Sequence, residues 1–252
     1  MDVSLNKLLV SSCIFLMFAS PGNTKQISLF VSRGPNFSTL KNNRLVEINE
    51  AITNAYHTKT QTNTQGFWAI GASHTFENAT LPSYQLSLGL AGYFFQLGQV
   101  KGTVYPFINA GLFDTLRYGF QAKSDALMLE AKALYSRYAL KPYVLVGIGS
   151  SWNKLSAYHE KPSDPSLSAS PIVPFSDRTT QTFAYELGAG LQYLLWDDQR
   201  RHIQYHASAG YQYFSMDRGA LGRSLAQTSF AHLKVKNLST QGVIFTLAAS
   251  FG

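Results

Sequence analysis

Between Ile203 and Tyr213 the chain reads Ile-Gln-Tyr-His-Ala-Ser-Ala-Gly-Tyr-Gln-Tyr, and this stretch decides the fold. Ile203, Tyr205, Ala207, Ala209, Tyr211 and Tyr213 alternate with Gln204, His206, Ser208, Gly210 and Gln212. Successive side chains of a strand point to opposite faces, so one aromatic, apolar face and one small, polar face mark a strand between two unlike environments. The pattern recurs on both sides. Phe183, Tyr185, Leu187, Ala189, Leu191, Tyr193 and Leu195 oppose Ala184, Glu186, Gly188, Gly190 and Gln192. Val144, Val146, Ile148 and Trp152 oppose Gly147, Gly149, Ser151 and Asn153, and Tyr84, Leu86, Leu88 and Leu90 oppose Gln85, Ser87, Gly89 and Ala91. At the C-terminus Val243, Phe245, Leu247, Ala249 and Phe251 keep the same phase.

Less regular segments complete the set. Trp68, Ile70 and Ala72 form one, and Ile27, Leu29 and Val31 a short first one. Between Leu116 and Tyr135 the apolar phase shifts from even (Tyr118, Phe120, Ala122) to odd (Leu127, Leu129, Ala131, Ala133), which predicts a β-bulge near Ser124-Asp125. The count is about eight strands, an even number that puts both chain ends on one side of a barrel. Connections alternate in length. Short ones fall near Glu77 to Ser83, Ser136 to Lys141 and Trp196 to Arg201; long ones fall near Gly34 to Ala55, Pro106 to Thr115, Glu160 to Gln181 and Asp217 to Ser229. In the first long connection Leu45, Ile48 and Ile52 have the spacing of a short helix.

Composition says which face is outside. Charged residues are 14% of the 252-residue chain, about half the share of an ordinary soluble domain. Something other than water must therefore cover part of the surface, and the face rich in Tyr, Phe, Leu and Trp is assigned to lipid. The opposite face, with isolated Glu130, Lys132, Glu186 and Lys234 beside His206, then lines the bore. Charges in a narrow bore need partners, so Glu130 or Glu186 is expected to pair with Lys132, Lys234 or Arg117. A soluble carrier barrel would reverse the two faces.

The N-terminal segment is read as an export signal. Lys7 precedes the apolar run Leu8 to Phe18, too short to span a membrane, and Ser20-Pro21-Gly22 supplies small residues before Asn23. Residues 1–22 are expected to be a secretory signal peptide and residues 23–252 the barrel domain. Cys13, the only cysteine, lies in the signal, so the mature chain has no disulfide framework and no Cys-rich metal site.

The Gly-spaced stretches Tyr84-Gln85-Leu86-Ser87-Leu88-Gly89, Phe183-Ala184-Tyr185-Glu186-Leu187-Gly188 and Ala207-Ser208-Ala209-Gly210-Tyr211 resemble those of the small outer-membrane β-barrels of Gram-negative bacteria, the family of the OmpA membrane domain and the opacity-type proteins. The ending Val243-x-Phe245-x-Leu247-x-Ala249-x-Phe251 is similar to that family's C-terminal insertion signal, although Gly252 follows the last aromatic. The resemblance implies an all-β, eight-stranded antiparallel up-and-down transmembrane barrel in the cell outer membrane. It also implies recognition of Phe245, Leu247 and Phe251 by the barrel assembly machinery.

Candidate chemistry is sparse. His206 and Ser208, two apart on one strand, share a face, as in the His-x-Ser pair of outer-membrane lipid A deacylases, with Glu186 as the nearest candidate acid. Both are expected to point into the bore, away from acyl chains, so packed interior polar residues are the simpler reading. Gly219-Ala220-Leu221-Gly222-Arg223-Ser224 lacks the lysine of a phosphate loop. His202 and His206 lie about 13 Å apart along a strand, too far for one zinc, and no metal or cofactor is expected. The net charge of +7 is dispersed, and an exported chain meets anionic lipid head groups rather than nucleic acid. Lys41, Arg44, Arg218 and Arg223, in long connections, are the candidate lipopolysaccharide contacts.

The functional expectation is a non-enzymatic surface protein. Its long extracellular loops would serve adhesion, contact with a host or extracellular ligand, or envelope integrity. A narrow porin-like channel for small solutes is one alternative. A lipid A-modifying hydrolase using His206 and Ser208 is another.

Overall fold

In a computed structural model the described residues are 24–40, 43–49, 52–58, 61–77, 83–108, 115–164, 175–224 and 232–252. Residues 1–22, expected to be a signal peptide, lie outside them. In chain order the strands are β1 (Thr24–Leu40), β2 (Asn43–Asn49), β3 (Ile52–Thr58), β4 (Gln61–Glu77), β5 (Tyr84–Tyr105), β6 (Leu116–Tyr135) and β7 (Leu140–Pro162). The two-residue β8 (Phe175–Ser176), β9 (Arg178–Asp198) and β10 (Ile203–Ser215) follow. The chain closes with the short β11 (Arg218–Ala220), β12 (Gly222–Arg223) and β13 (Lys234–Lys236), then β14 (Ser239–Phe251).

Eight strands form the ring β1-β4-β5-β6-β7-β9-β10-β14, every neighbour antiparallel. It is closed by pairing of β1 with β14 from Ile27↔Phe251 to Ser38↔Thr240. Closure leaves no strand edge within the ring, the condition a sheet must meet to cross a bilayer.

The outward positions of β9 from Phe183 to Leu195 are apolar throughout, and Leu187 is 52% exposed. At ~3.3 Å per residue and a tilt near 40°, that run spans roughly 30 Å along the barrel axis, the thickness of a hydrocarbon core. Val31, Ile70, Leu88, Leu129, Val146, Tyr211 and Leu247 continue the belt around the ring. A membrane strand needs only about 9–11 residues. With 22 residues in β5, 23 in β7 and 21 in β9, these strands must stand well clear of the lipid. The short turns and both ends of the ring lie on the periplasmic side, and the strand extensions lie outside the cell.

Where the belt stops, the faces exchange character. Below that level the inward positions are polar or small: Ser28, Ser73, Ser87, Gln192, Ser208 and Thr246. Above it they are Phe67, Tyr93, Phe95, Phe120 and Phe214, all buried, while the outward positions become Gln96, Lys123, Lys154 and Gln241. This corrects the bulge expected at Ser124-Asp125. β5 and β6 pair without interruption through Phe95↔Ser124 and Phe94↔Asp125. Even positions of β6 face inward along its whole length, from Leu116 to Leu134. What changes between Asp125 and Leu127 is the outside medium, so the greasy residues move from the inner face to the outer one without any slip of the backbone.

Register shifts occur elsewhere. One opposes Leu97 of β5 to no partner, next to Gly98 at φ +94, a left-handed conformation that suits glycine; a Cβ there would meet Asn63 at 2.7 Å. Another lies opposite Phe120, at Ala157 of β7, which has φ 56.

The first long connection also departs from expectation. β1 runs on to Leu40, and the stretch read as a short helix is the β2–β3 hairpin, with Leu45 opposite Ala55 and β3 added to the upper edge of β5. Leu45 is exposed and Val46 buried, the alternation of a strand. The continuation of β1 was illegible because Asn36 and Ser38 point inward while Pro35 and Thr39 point out, leaving no hydrophobic contrast between faces.

The outer end is closed by side chains. Phe175 packs edge-on against Tyr158 (5.1 Å, 86°) and Tyr56 (5.8 Å, 64°), and Tyr56 against Tyr118 (5.4 Å, 76°). The described residues between β10 and β14, 216–224 and 232–238, fold back over the bore through the β11–β13 pair and insert Leu221, Leu233, Val235 and Leu238. Asn153, fully buried on β7, pins it: its Nδ2 donates to the carbonyls of Met216 and Arg218, both at 2.8 Å, and its Oδ1 accepts from Ser124 at 2.7 Å.

Candidate functional site

The periplasmic half of the bore holds a cavity of about 260 Å³. Its walls carry Ser, Thr and Gln from all sides, and its outer end is stopped by Tyr93 and Phe30. Glu130 and Glu186 are inward on β6 and β9, and Gly147 of β7 lies between them as the backbone partner of both. A Cβ on Gly147 would meet Glu186 Oε1 at 2.2 Å, so that glycine is what admits the carboxylate. Tyr93 donates its hydroxyl to Glu130 Oε1 at 2.6 Å.

The expected charge pairing is not what forms. Lys132 donates to Gln192 Oε1 at 2.6 Å and stands 4.3 Å from the centre of the Tyr143 ring. Lys234 is on β13 in the outer cap and exposed, so it belongs to no interior cluster. Arg117 is on the outer surface of β6. Among the described residues no ion pair lies inside the bore. The sequence placed Glu130, Lys132, Glu186 and His206 on the inner face correctly. It could not tell that a neutral amide on β9 and an aromatic ring on β7 would hold the lysine of β6.

His206 and Ser208 both line the cavity. His206 Nδ1 has no hydrogen-bond partner, so no carboxylate orients the imidazole towards the serine. The acyl chains that a lipid hydrolase would attack lie on the far side of the barrel wall.

Of the candidate lipopolysaccharide contacts, Lys41 and the side chain of Arg44 fall outside the described residues. Arg218 pairs with Asp217, Nε to Oδ2 3.8 Å, and Arg223 is on β12 against Phe175. The more concentrated basic surface was missed. Lys101 on β5, Arg117 on β6 and His159 and Lys161 on β7 line one outward depression on the strand extensions. Lys123 and Lys154, also outward, form a cross-strand pair closer to the belt. Only His159 and Lys161 are close in sequence; Lys101 and Arg117 reach them from two other strands, so no single window of sequence shows the set together.

In the outer cap His232 bridges two elements: Nδ1 lies 3.0 Å from the Leu221 carbonyl and Nε2 3.0 Å from Arg178 Nη1. A guanidinium can only donate, so Nε2 accepts and the imidazole is neutral with its proton on Nδ1. Partial burial, then the cations of Arg178 and Arg223, hold its pKa below the ordinary histidine value.

The insertion-signal residues Phe245, Leu247 and Phe251 are exposed on the belt, and Leu247 is 59% exposed. Gly252 adds one backbone hydrogen bond, its N–H donating to the His202 carbonyl at 3.1 Å.

No protein-family model matches the chain, and no curated protein does. Among solved structures it is similar to Neisserial surface protein A at 10% identity, covering 88% of this chain and 96% of that one with a TM-score of 0.41. For Ail, the attachment invasion locus protein of Yersinia pestis, identity is 15%, coverage 89% and 98%, and the TM-score 0.35. For the outer membrane protease OmpT of Escherichia coli the values are 8%, 92% and 99%, and 0.37. Likeness at this level carries no argument about activity. The ring of eight antiparallel strands, its closure by β1 and β14 and its lipid-facing belt give the chain the fold of a small eight-stranded transmembrane β-barrel of the outer-membrane type.

Proposed function

We propose that the protein is a non-enzymatic surface scaffold whose barrel holds a folded head outside the cell for adhesion or contact with a host or other extracellular ligand. The observation that carries this reading is the projection of β5, β6, β7 and β9 beyond the belt, together with the β2–β3 hairpin and the β11–β13 cap. A packed aromatic core and a buried asparagine spend conformational freedom on presenting a fixed surface, as preorganised recognition requires. A solute channel would instead need an open bore, and Phe95, Phe120 and Phe214 fill this one. The hydrolase reading lacks an acid on His206 and access to acyl chains.

The test is to display the full chain on a non-adherent bacterium and score attachment to host cells. Expected is attachment that falls when residues 43–58 are replaced by a short turn while the barrel still inserts. Stepwise conductance of the purified protein in planar bilayers, or lipid A deacylation lost on Ser208→Ala, would overturn the reading.

A further inference from the structure

We propose that the outward face of β5, β6 and β7, from just above the lipid belt upward, is a two-tier docking rail for one anionic glycolipid of the outer leaflet. The lower tier would take its lipid-proximal phosphates and the upper tier the acidic sugars or sugar phosphates of its core.

Strand register builds the rail. In the lower tier Lys123 stands directly across from Lys154, with Asp125 the nearby carboxylate. In the upper tier Arg117 lies between Thr103 and Lys161, and Gly119 between Lys101 and His159. A Cβ on Gly119 would come within 2.9 Å of His159 Nε2, so the glycine leaves the imidazole room to lie across the sheet. Lys101, Arg117, His159 and Lys161 surround a depression of about 410 Å³. Among the described residues no carboxylate forms an ion pair with Lys101, Arg117 or Lys161.

Height selects the occupant. Leu127 and Phe94 mark the end of the belt on these strands, and Lys123 follows roughly 10 Å above Leu127, where head-group phosphates lie. Arg117 stands ~15 Å higher again. A simple phospholipid head group reaches only the lower tier. A lipid carrying a charged oligosaccharide reaches both, and its acyl chains would cover the apolar outer face directly beneath. Like charges set directly across a sheet repel, so a bound polyanion relieves a cost that these strands otherwise carry. The inference rests on the embedding of the belt and does not depend on what the extracellular head recognises.

The experiment uses the full barrel in detergent, with binding read by native mass spectrometry. The probes are lipopolysaccharide with a complete anionic core, lipid A alone, and the same core oligosaccharide released from its lipid. Expected is binding of the complete glycolipid on the order of tenfold or more tighter than lipid A, because each interfacial cation contributes severalfold. The combined Lys101→Ala, Arg117→Ala and Lys161→Ala variant should erase that difference, and Lys123→Ala with Lys154→Ala should weaken both lipids. Should the triple variant fail to insert, the single Arg117→Gln must still reduce the core preference severalfold. Replacing Arg200 and Arg201 in a periplasmic turn should change nothing. Equal binding of both lipids by the native protein, a preference that survives the upper-tier substitutions, or released core binding as tightly as the whole glycolipid would each overturn the proposal.

Discussion

Ser73, Ser87 and Gln192 face the barrel axis in its lower half; Phe67, Phe95 and Phe120 face the same axis in the upper half. Nothing in the strand geometry separates the two regions, because the same strands run through both. The medium outside separates them. Beside lipid the outer face needs no help from water, so it is greasy and the bore can be polar. Above the lipid the outer face is wet, and the sheet must gather its apolar side chains inside, as a soluble barrel does. One molecule is therefore a membrane barrel below and a water-soluble barrel above, with the changeover near Asp125 and Leu127 on β6.

The largest expected effect breaks the upper region. Phe95 packs against Phe214 at 4.8 Å and Phe67 at 5.3 Å, and Phe95→Ala should cost about 3–5 kcal/mol, read as urea unfolding of the refolded protein in micelles. The same measurement on Leu187→Arg, in the belt, should show a loss of about 2–4 kcal/mol, whereas Gln181→Arg, the next outward position above Phe183 on the same strand, should be almost silent. If the two arginines cost the same, the division into lipid-facing and water-facing tiers is wrong. Asn153→Ala would take the side-chain donor from the Arg218 carbonyl and one of the two donors, the other being Thr182, from the Met216 carbonyl, and should cost about 1–3 kcal/mol. Its signature should be faster protease cleavage between β10 and β14, with the ring itself unharmed.

The smallest effect is on the cap alone. The folded-state pKa of His232 is lowered, so the folded protein prefers the neutral ring and binds fewer protons than the unfolded chain. Its stabilising contribution is complete above the ordinary histidine pKa and is lost as pH falls through the depressed folded value. Hydrogen exchange near Leu221 should accelerate over that acidic window in the native protein. It should lose this pH dependence in His232→Gln.

Legibility followed the same division. The strands of the belt were readable because lipid and bore differ sharply: Tyr205, Leu187 and Phe245 could be assigned outward and Gln204 and Glu186 inward from alternation alone. The upper half was not. There the apolar face turns inward, so Tyr118 and Phe120 looked out of phase with Leu127 and Leu129 although all obey one backbone register. Between Gly34 and Leu40 neither face is distinctly apolar, and a strand passed for a loop. The polar cluster was legible as a set of inward residues but not as a network. The partner of Lys132 is Gln192, sixty positions away, where it had been expected among the acids.

What the sequence by itself determined is a ring of strands with one side for lipid, because period two and a shortage of charge are local properties that any window displays. Tertiary structure alone decided where the lipid ends, which groups meet in the bore, and that cations from three strands converge above the belt. Those facts depend on strand register and on height along the axis. Both are set by long-range pairing, and chain order does not record them.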